Sequence, residues 1–160
     1  MLCDGASDRL RLGAAAPDLP PDGFHAVFAA DPSAVRVALR AALARFVRQM
    51  SADEAGTMEL VLAEVLNNIV EHAFAEAGPG QIELTISRDT LGLLCRVEDD
   101  GAPMPNGMLP AGRLPSNAVP VDDLPEGGFG WFLIRDLTRE LSYVRDGSRN
   151  LLMFRLPLAG

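Results

Sequence analysis

The chain has 160 residues, 48% of them hydrophobic, and a formal net charge of −8 at pH 7 with a pI near 4.7. That size and apolar content support one domain whose core needs no metal or disulfide staple, and the acidic balance argues against a nucleic-acid surface, which requires clustered cations. All 14 basic residues are arginine, so lysine-based mechanisms are excluded, including the phosphate-binding loop that closes on Lys and Ser or Thr.

Cys3 and Cys95 lie far apart, no pair is spaced to ligate zinc, and only two histidines, His25 and His72, are present. This is the usage of a reduced cytoplasmic protein. The opening MLCDGASDRLRLG lacks the apolar core of a signal peptide, and no run approaches membrane-spanning length, so no membrane partner is expected.

Residues 1–22 are rich in Ala, Pro, Asp and Gly without periodicity and predict a flexible tail or an arm that packs on a partner, with the domain proper over residues 23–158. Gly23 to Ala30 alternates weakly and predicts a short edge strand. Asp31 and Pro32 open a helix with Pro at its first position and Val35, Leu39, Leu43, Phe46, Val47 and Met50 on one side.

The stretch SADEAGTMELVLAEVLNNIVEHAF, Ser51 to Phe74, predicts one long amphipathic helix. Ser51 followed by Glu54 has the form of a capping box, so the helix begins near Ala52. Met58, Val61, Leu62, Val65, Ile69 and Ala73 give it an apolar face. Beside that stripe, at about 100° per residue, Glu64, Asn68 and Glu71 form one polar ridge. Two consecutive asparagines, Asn67 and Asn68, cost helical stability that Ala would supply. A carboxylate and an amide oxygen one turn apart can hold a hard cation such as magnesium while the carboxylate accepts a proton. The plainer alternative is a solvated helix face.

Ala77 to Gly80 breaks the pattern. Ile82, Leu84 and Ile86 alternate with polar residues as a half-buried strand, and Leu91 to Val97 is its hairpin partner, ending at Glu98-Asp-Asp-Gly. Residues 101–130 hold six prolines and six glycines, which predicts no packed element and a lid or binding loop. The glycine cluster Gly127, Gly128 and Gly130 closes it, followed by a helix over Trp131–Leu141 with Phe132, Ile134, Leu137 and Leu141 available for the core. Leu141–Arg145 and Asn150–Leu156 then read as two strands joined at Asp146-Gly-Ser-Arg.

Three separated pieces thus coexist: Glu64 and Asn68 in AEVLNN, Asp99 and Gly101 in VEDDGAP, and Gly128 and Gly130 in GGFGWFLIRDL. In this order they resemble the Bergerat-fold ATPases, the superfamily of gyrase, heat-shock chaperones, mismatch-repair proteins and histidine kinases. Within it, Pro103 where many relatives have a second Gly, and the ending RDGSRNLLMFRL, are similar to the anti-sigma-factor serine/threonine kinases of bacterial partner switching. The resemblance covers roughly residues 23–158.

The resemblance implies an α+β two-layer sandwich, a mixed and mostly antiparallel sheet with helices packed on one face. It implies ATP and Mg2+ as cofactors, an anti-anti-sigma (STAS) protein as substrate, a sigma factor as second partner, and a homodimer. Asp99 at a strand end is an acceptor for the exocyclic amine of adenine. Gly101 lets the backbone turn under the ring. Gly127, Gly128 and Gly130 free the loop to close over phosphates against backbone N–H groups and the N-terminus of the following helix. Asn68 ligates magnesium, and Glu64 takes the proton of the attacking hydroxyl. The family also has a small polar residue beside adenine, and the spacing does not register which of Ser148 to Asn150 matches it. Glu71 reads as a solvated neighbour, His72 as a packing or hydrogen-bonded residue, Trp131 as core, and Arg113 as a lid residue without a fixed partner. The rival function is a nucleotide-binding module that captures a partner without phosphotransfer.

Overall fold

The computed structural model describes residues 10–12, 19–74, 79–112 and 128–159. They form β1 (Leu10–Leu12), β2 (Phe24–Ala29), α1 (Pro32–Phe46), α2 (Ala52–Asn68), β3 (Gln81–Asp89), β4 (Gly92–Asp99), α3 (Gly128–Leu137), β5 (Arg139–Asp146) and β6 (Arg149–Pro157). The strands make one sheet in the order β1-β2-β3-β4-β6-β5, with every described pairing antiparallel. The helices pack on one face of it, the α+β two-layer arrangement that the motifs imply. Among the described residues no helix is long and apolar enough to cross a membrane.

Period-two alternation decides which side chains meet the helices. Ile82, Leu84 and Ile86 of β3, Leu93, Cys95 and Val97 of β4, and Leu152, Phe154 and Leu156 of β6 are buried against Val35, Phe46, Met58, Leu62 and Leu66. Each such aliphatic or aromatic side chain contributes about 1.5–3 kcal/mol on burial. The same alternation carries two polar groups onto the core face at the ends of their strands. The β4 column ends in Asp99 and the β6 column begins with Asn150, and the register pairs these two residues directly.

Both helix starts are where the sequence puts them. The Asp31 carboxylate accepts the Ala34 N–H at 2.8 Å. Ser51 and Glu54 close a full capping box, each side chain accepting the other's backbone N–H at 3.1 Å. A cap of this kind stabilises by about 1 kcal/mol.

Several expectations are corrected. The α-helix does not run to Phe74: α2 ends at Asn68, and Ile69–Ala73 form a π-helical turn. Glu71 and His72 therefore sit on the wider π turn rather than on the α-helix that carries Glu64 and Asn68. Val47 is 47% exposed because a 3-10 turn over Val47–Gln49 rotates it off the α1 face. Residues Leu10–Leu12, inside the segment read as an unpatterned tail, pair with Ala26–Phe28, which makes β2 an interior strand rather than an edge. Helix α3 begins at Gly128, three residues before Trp131, and ends at Leu137; Leu141 belongs to β5. The segment from Gly101 to Gly112, read as lacking any packed element, is fastened: the Arg135 guanidinium donates to the carbonyls of Pro110 at 2.8 Å and Leu109 at 3.3 Å.

Candidate functional site

The π turn, the end of β4 and the start of β6 meet around a cavity of about 450 Å³. Its walls are mainly apolar, from Val65, Ile69, Ala73, Trp131 and Leu152, with Asn68, His72, Asp99, Tyr143 and Asn150 as the polar groups. A concave apolar site with a few convergent polar groups is the usual form of a small-molecule pocket.

Asp99 is 3% exposed. Its Oδ1 accepts the Gly101 N–H at 2.9 Å and an Asn150 amide N–H at 2.8 Å. No hydrogen bond from a described residue reaches Oδ2. Burial pushes the carboxyl above the ordinary aspartate range; the bonds from Asn150 and Gly101 oppose that rise, neighbouring Asp100 adds to it and Arg145 reduces it. A buried carboxylate with one oxygen saturated by donors and the other left over is an acceptor awaiting a donor.

Gly101 has a reason the sequence reading missed. A Cβ there would lie 2.7 Å from both the Cβ and the carbonyl oxygen of Ala73, because the Asp99–Ala102 turn is pressed on the π turn and Ala102 N–H donates to Ala73 O at 2.8 Å. The glycine serves a helix–loop close approach. Gly101→Ala must displace backbone, and a Tm lower by about 3–10 °C is expected in a melting experiment.

Gly130 joins the site from α3. A Cβ at Gly130 would stand 2.5 Å from Glu64 Oε2 and 3.6 Å from Asn68 Nδ2, so the first turn of α3 lies directly on the Glu64/Asn68 pair. Here the obstacle is the tip of a flexible side chain. Gly130→Ala is therefore expected to leave Tm within about 2 °C while turning Glu64 aside, so that activity falls without loss of fold. Glu64 receives no hydrogen bond from a described residue and does not line the cavity itself.

Asn68 is 8% exposed, and its Nδ2 is buried without a hydrogen-bond partner. Leaving such a group unsatisfied costs about 1–3 kcal/mol, which marks the site as one that a ligand completes. No group of three His, Cys, Asp or Glu among the described residues is placed to hold a metal. The unpartnered Nδ2 is a donor and calls for an acceptor such as a phosphate oxygen; only the oxygen of the same amide could join a hard ion, which would bring its other ligands from water and phosphate.

The structure thus brings together Glu64, Asn68 and Gly130, and separately Asp99 and Gly101; Asn68 and Asp99 line one cavity. Gly128 begins α3. Gly127 and Arg113 lie outside the described residues. Glu71 is exposed as expected; His72 is exposed and lines the cavity mouth, meeting only Glu71 at 3.9 Å, so it is not the packed or bonded residue the sequence suggested. Trp131 is buried as expected, and it also forms cavity wall. Burial pushes the Cys95 thiol far above its usual range, which makes it an inert core residue.

Of Ser148 to Asn150, Asn150 is the one that lines the cavity. It donates to Asp99 Oδ1 and, at 2.9 Å, to Ala102 O, and its own carbonyl accepts from Tyr143 Oη and, at 3.0 Å, from Arg145 Nη1. Its signal was present: it occupies the core-facing phase of a strand otherwise apolar on that face.

A protein-family model described as the histidine kinase-like ATPase domain matches residues 28–156. The serine/threonine-protein kinase BtrW of Bordetella bronchiseptica is 35% identical over 99 residues, which are 61% of this chain and 67% of that protein.

Proposed function

The chain belongs to the histidine kinase-like ATPase domain family, and from that premise we propose that it is an ATP-dependent serine/threonine protein kinase. It acts as an anti-sigma factor, phosphorylates a small STAS-type anti-anti-sigma protein, and works as a homodimer in the cytoplasm. The observation that carries this reading is the convergence of Glu64, Asn68 and Gly130 beside the cavity that holds Asp99. The relative named a serine/threonine-protein kinase supports it.

Adenine lies in the apolar cavity with its amine donating to Asp99. The phosphates extend toward the N-terminus of α3, where the helix dipole favours anions. Asn68 would hold magnesium through its amide oxygen, and the ion would supply charge neutralisation on the phosphates. Glu64 takes the proton of the partner's serine or threonine hydroxyl as that oxygen bonds to the γ-phosphorus and the bond to the β-phosphate oxygen breaks, releasing ADP. Such transfer depends chiefly on positioning and electrostatics, which two side chains and a glycine turn can supply.

Incubation of the protein with γ-labelled ATP and candidate STAS partners tests the reading. Phosphoserine or phosphothreonine on the partner is expected; stable nucleotide-dependent capture without it would make the chain a binding module. Asn68→Ala is expected to weaken Mg·ATP binding by about 10–100-fold in calorimetry while magnesium-free binding changes little. Equal affinity with the ion present would contradict the metal assignment.

A further inference from the structure

The Asp99 carboxylate is held through a layer of contacts that reaches from β6 to β5. Asn150 has four hydrogen-bonding positions and all are used: two amide protons go to Asp99 Oδ1 and the Ala102 carbonyl, and two carbonyl lone pairs accept Tyr143 Oη and Arg145 Nη1. Tyr143 Oη in turn accepts the Met104 N–H at 2.9 Å, and Arg145 Nη1 also donates to the Gly101 carbonyl at 2.7 Å. Two donors on β5 thus fix which end of the Asn150 amide faces Asp99, and both also grip the turn that leaves β4.

Resting on the adenine reading above, we propose that Tyr143 and Arg145 are positioning residues for base selection: by donating together to the Asn150 carbonyl they hold its N–H on Asp99 Oδ1 and keep Oδ2 as a pure acceptor for an amine-bearing base. With Asn150 held this way, the donors Asn150 and Gly101 crowd onto Oδ1, and a base presenting a carbonyl or bare C–H at that position leaves Oδ2 without a donor. Without Tyr143 and Arg145, the Asn150 carbonyl loses both donors, the amide leaves its rotamer, and the Gly101–Met104 turn loses two anchors. The carboxylate then rotates and an amine earns less over its absence.

The test compares dissociation constants of ATP and of purine riboside triphosphate, which lacks the exocyclic amine, for wild type, Tyr143→Phe, Arg145→Gln and the double variant. Wild type is expected to prefer ATP by about 10–100-fold, the value of a hydrogen bond to a charged group. Each single variant should lower that ratio and the double variant should bring it to about 3-fold or less, mainly through weaker ATP binding. Loss of both ligands by the same factor would make these residues merely structural and overturn the proposal, as would an unchanged ratio. A wild type that does not discriminate at all would instead remove Asp99 as the amine acceptor and the adenine reading with it. Arg145→Gln, on the outermost strand, keeps the comparison readable if Tyr143→Phe folds poorly.

Discussion

Glu64→Gln is expected to lower phosphoryl transfer to the partner by about 10²–10⁴-fold, the range a positioned general base contributes, with the ATP dissociation constant changed by less than about 3-fold. The reasoning is local. The substitution keeps size and helix preference on α2 and keeps an oxygen beside Gly130, so the contact between α2 and α3 survives. What is lost is the basic oxygen that takes the hydroxyl proton. Rapid-quench transfer with labelled ATP, beside calorimetry on the same preparations, separates the two effects. Unchanged transfer would remove Glu64 as the base, and a parallel collapse of affinity would make it a binding group.

Asp99→Asn is expected to weaken ATP binding by about 10–200-fold while leaving Tm unchanged or higher. An amide oxygen can still accept the Gly101 and Asn150 N–H groups, but its NH2 would face the adenine amine donor to donor. The fold is relieved of a buried charge. Because burial raises the Asp99 pKa, the folded state binds this proton more tightly than the unfolded one, and the group's contribution to stability is greatest at low pH and declines as pH rises through the raised value. Binding of an amine donor requires the ionised form, so wild-type affinity is lost as pH falls, starting above the range of an exposed aspartate. Asp99→Asn should abolish that pH dependence. Calorimetric titration of ADP across pH checks both points, and an Asp99→Asn protein that retains wild-type affinity and pH profile would contradict the role given to the carboxylate.

The legible parts of the site are those written within one element. Glu64 and Asn68 sit one turn apart on a capped helix, and Asp99 and Gly101 sit two apart at a strand end, so each pair could be singled out locally, and their order along the chain supplied the family resemblance. The fold was legible for the same reason: alternation in β3, β4 and β6 and the capping box of α2 are local signals that agree with the tertiary structure. What escaped depends on packing between elements. Nothing in Ile-Val-Glu-His-Ala forbids a regular α-turn; the π turn is revealed only by its contact with the Asp99–Ala102 turn. Gly128 to Gly130 read as loop because glycine is a poor helix former, yet they open α3, and at Gly130 the Glu64 carboxylate stands where a Cβ would be. The Tyr143–Asn150–Arg145 layer joins residues across a hairpin, where sequence separation says nothing about which lone pair meets which donor.

All of these expectations require an amine-bearing purine nucleotide in the cavity between the π turn and the end of β4. A crystal structure with a non-hydrolysable ATP analogue and magnesium is the decisive measurement. The base amine is expected within hydrogen-bonding distance of Asp99 Oδ2 and the ion on Asn68; a cavity left empty, or nucleotide seated elsewhere on the chain, would contradict the proposed function.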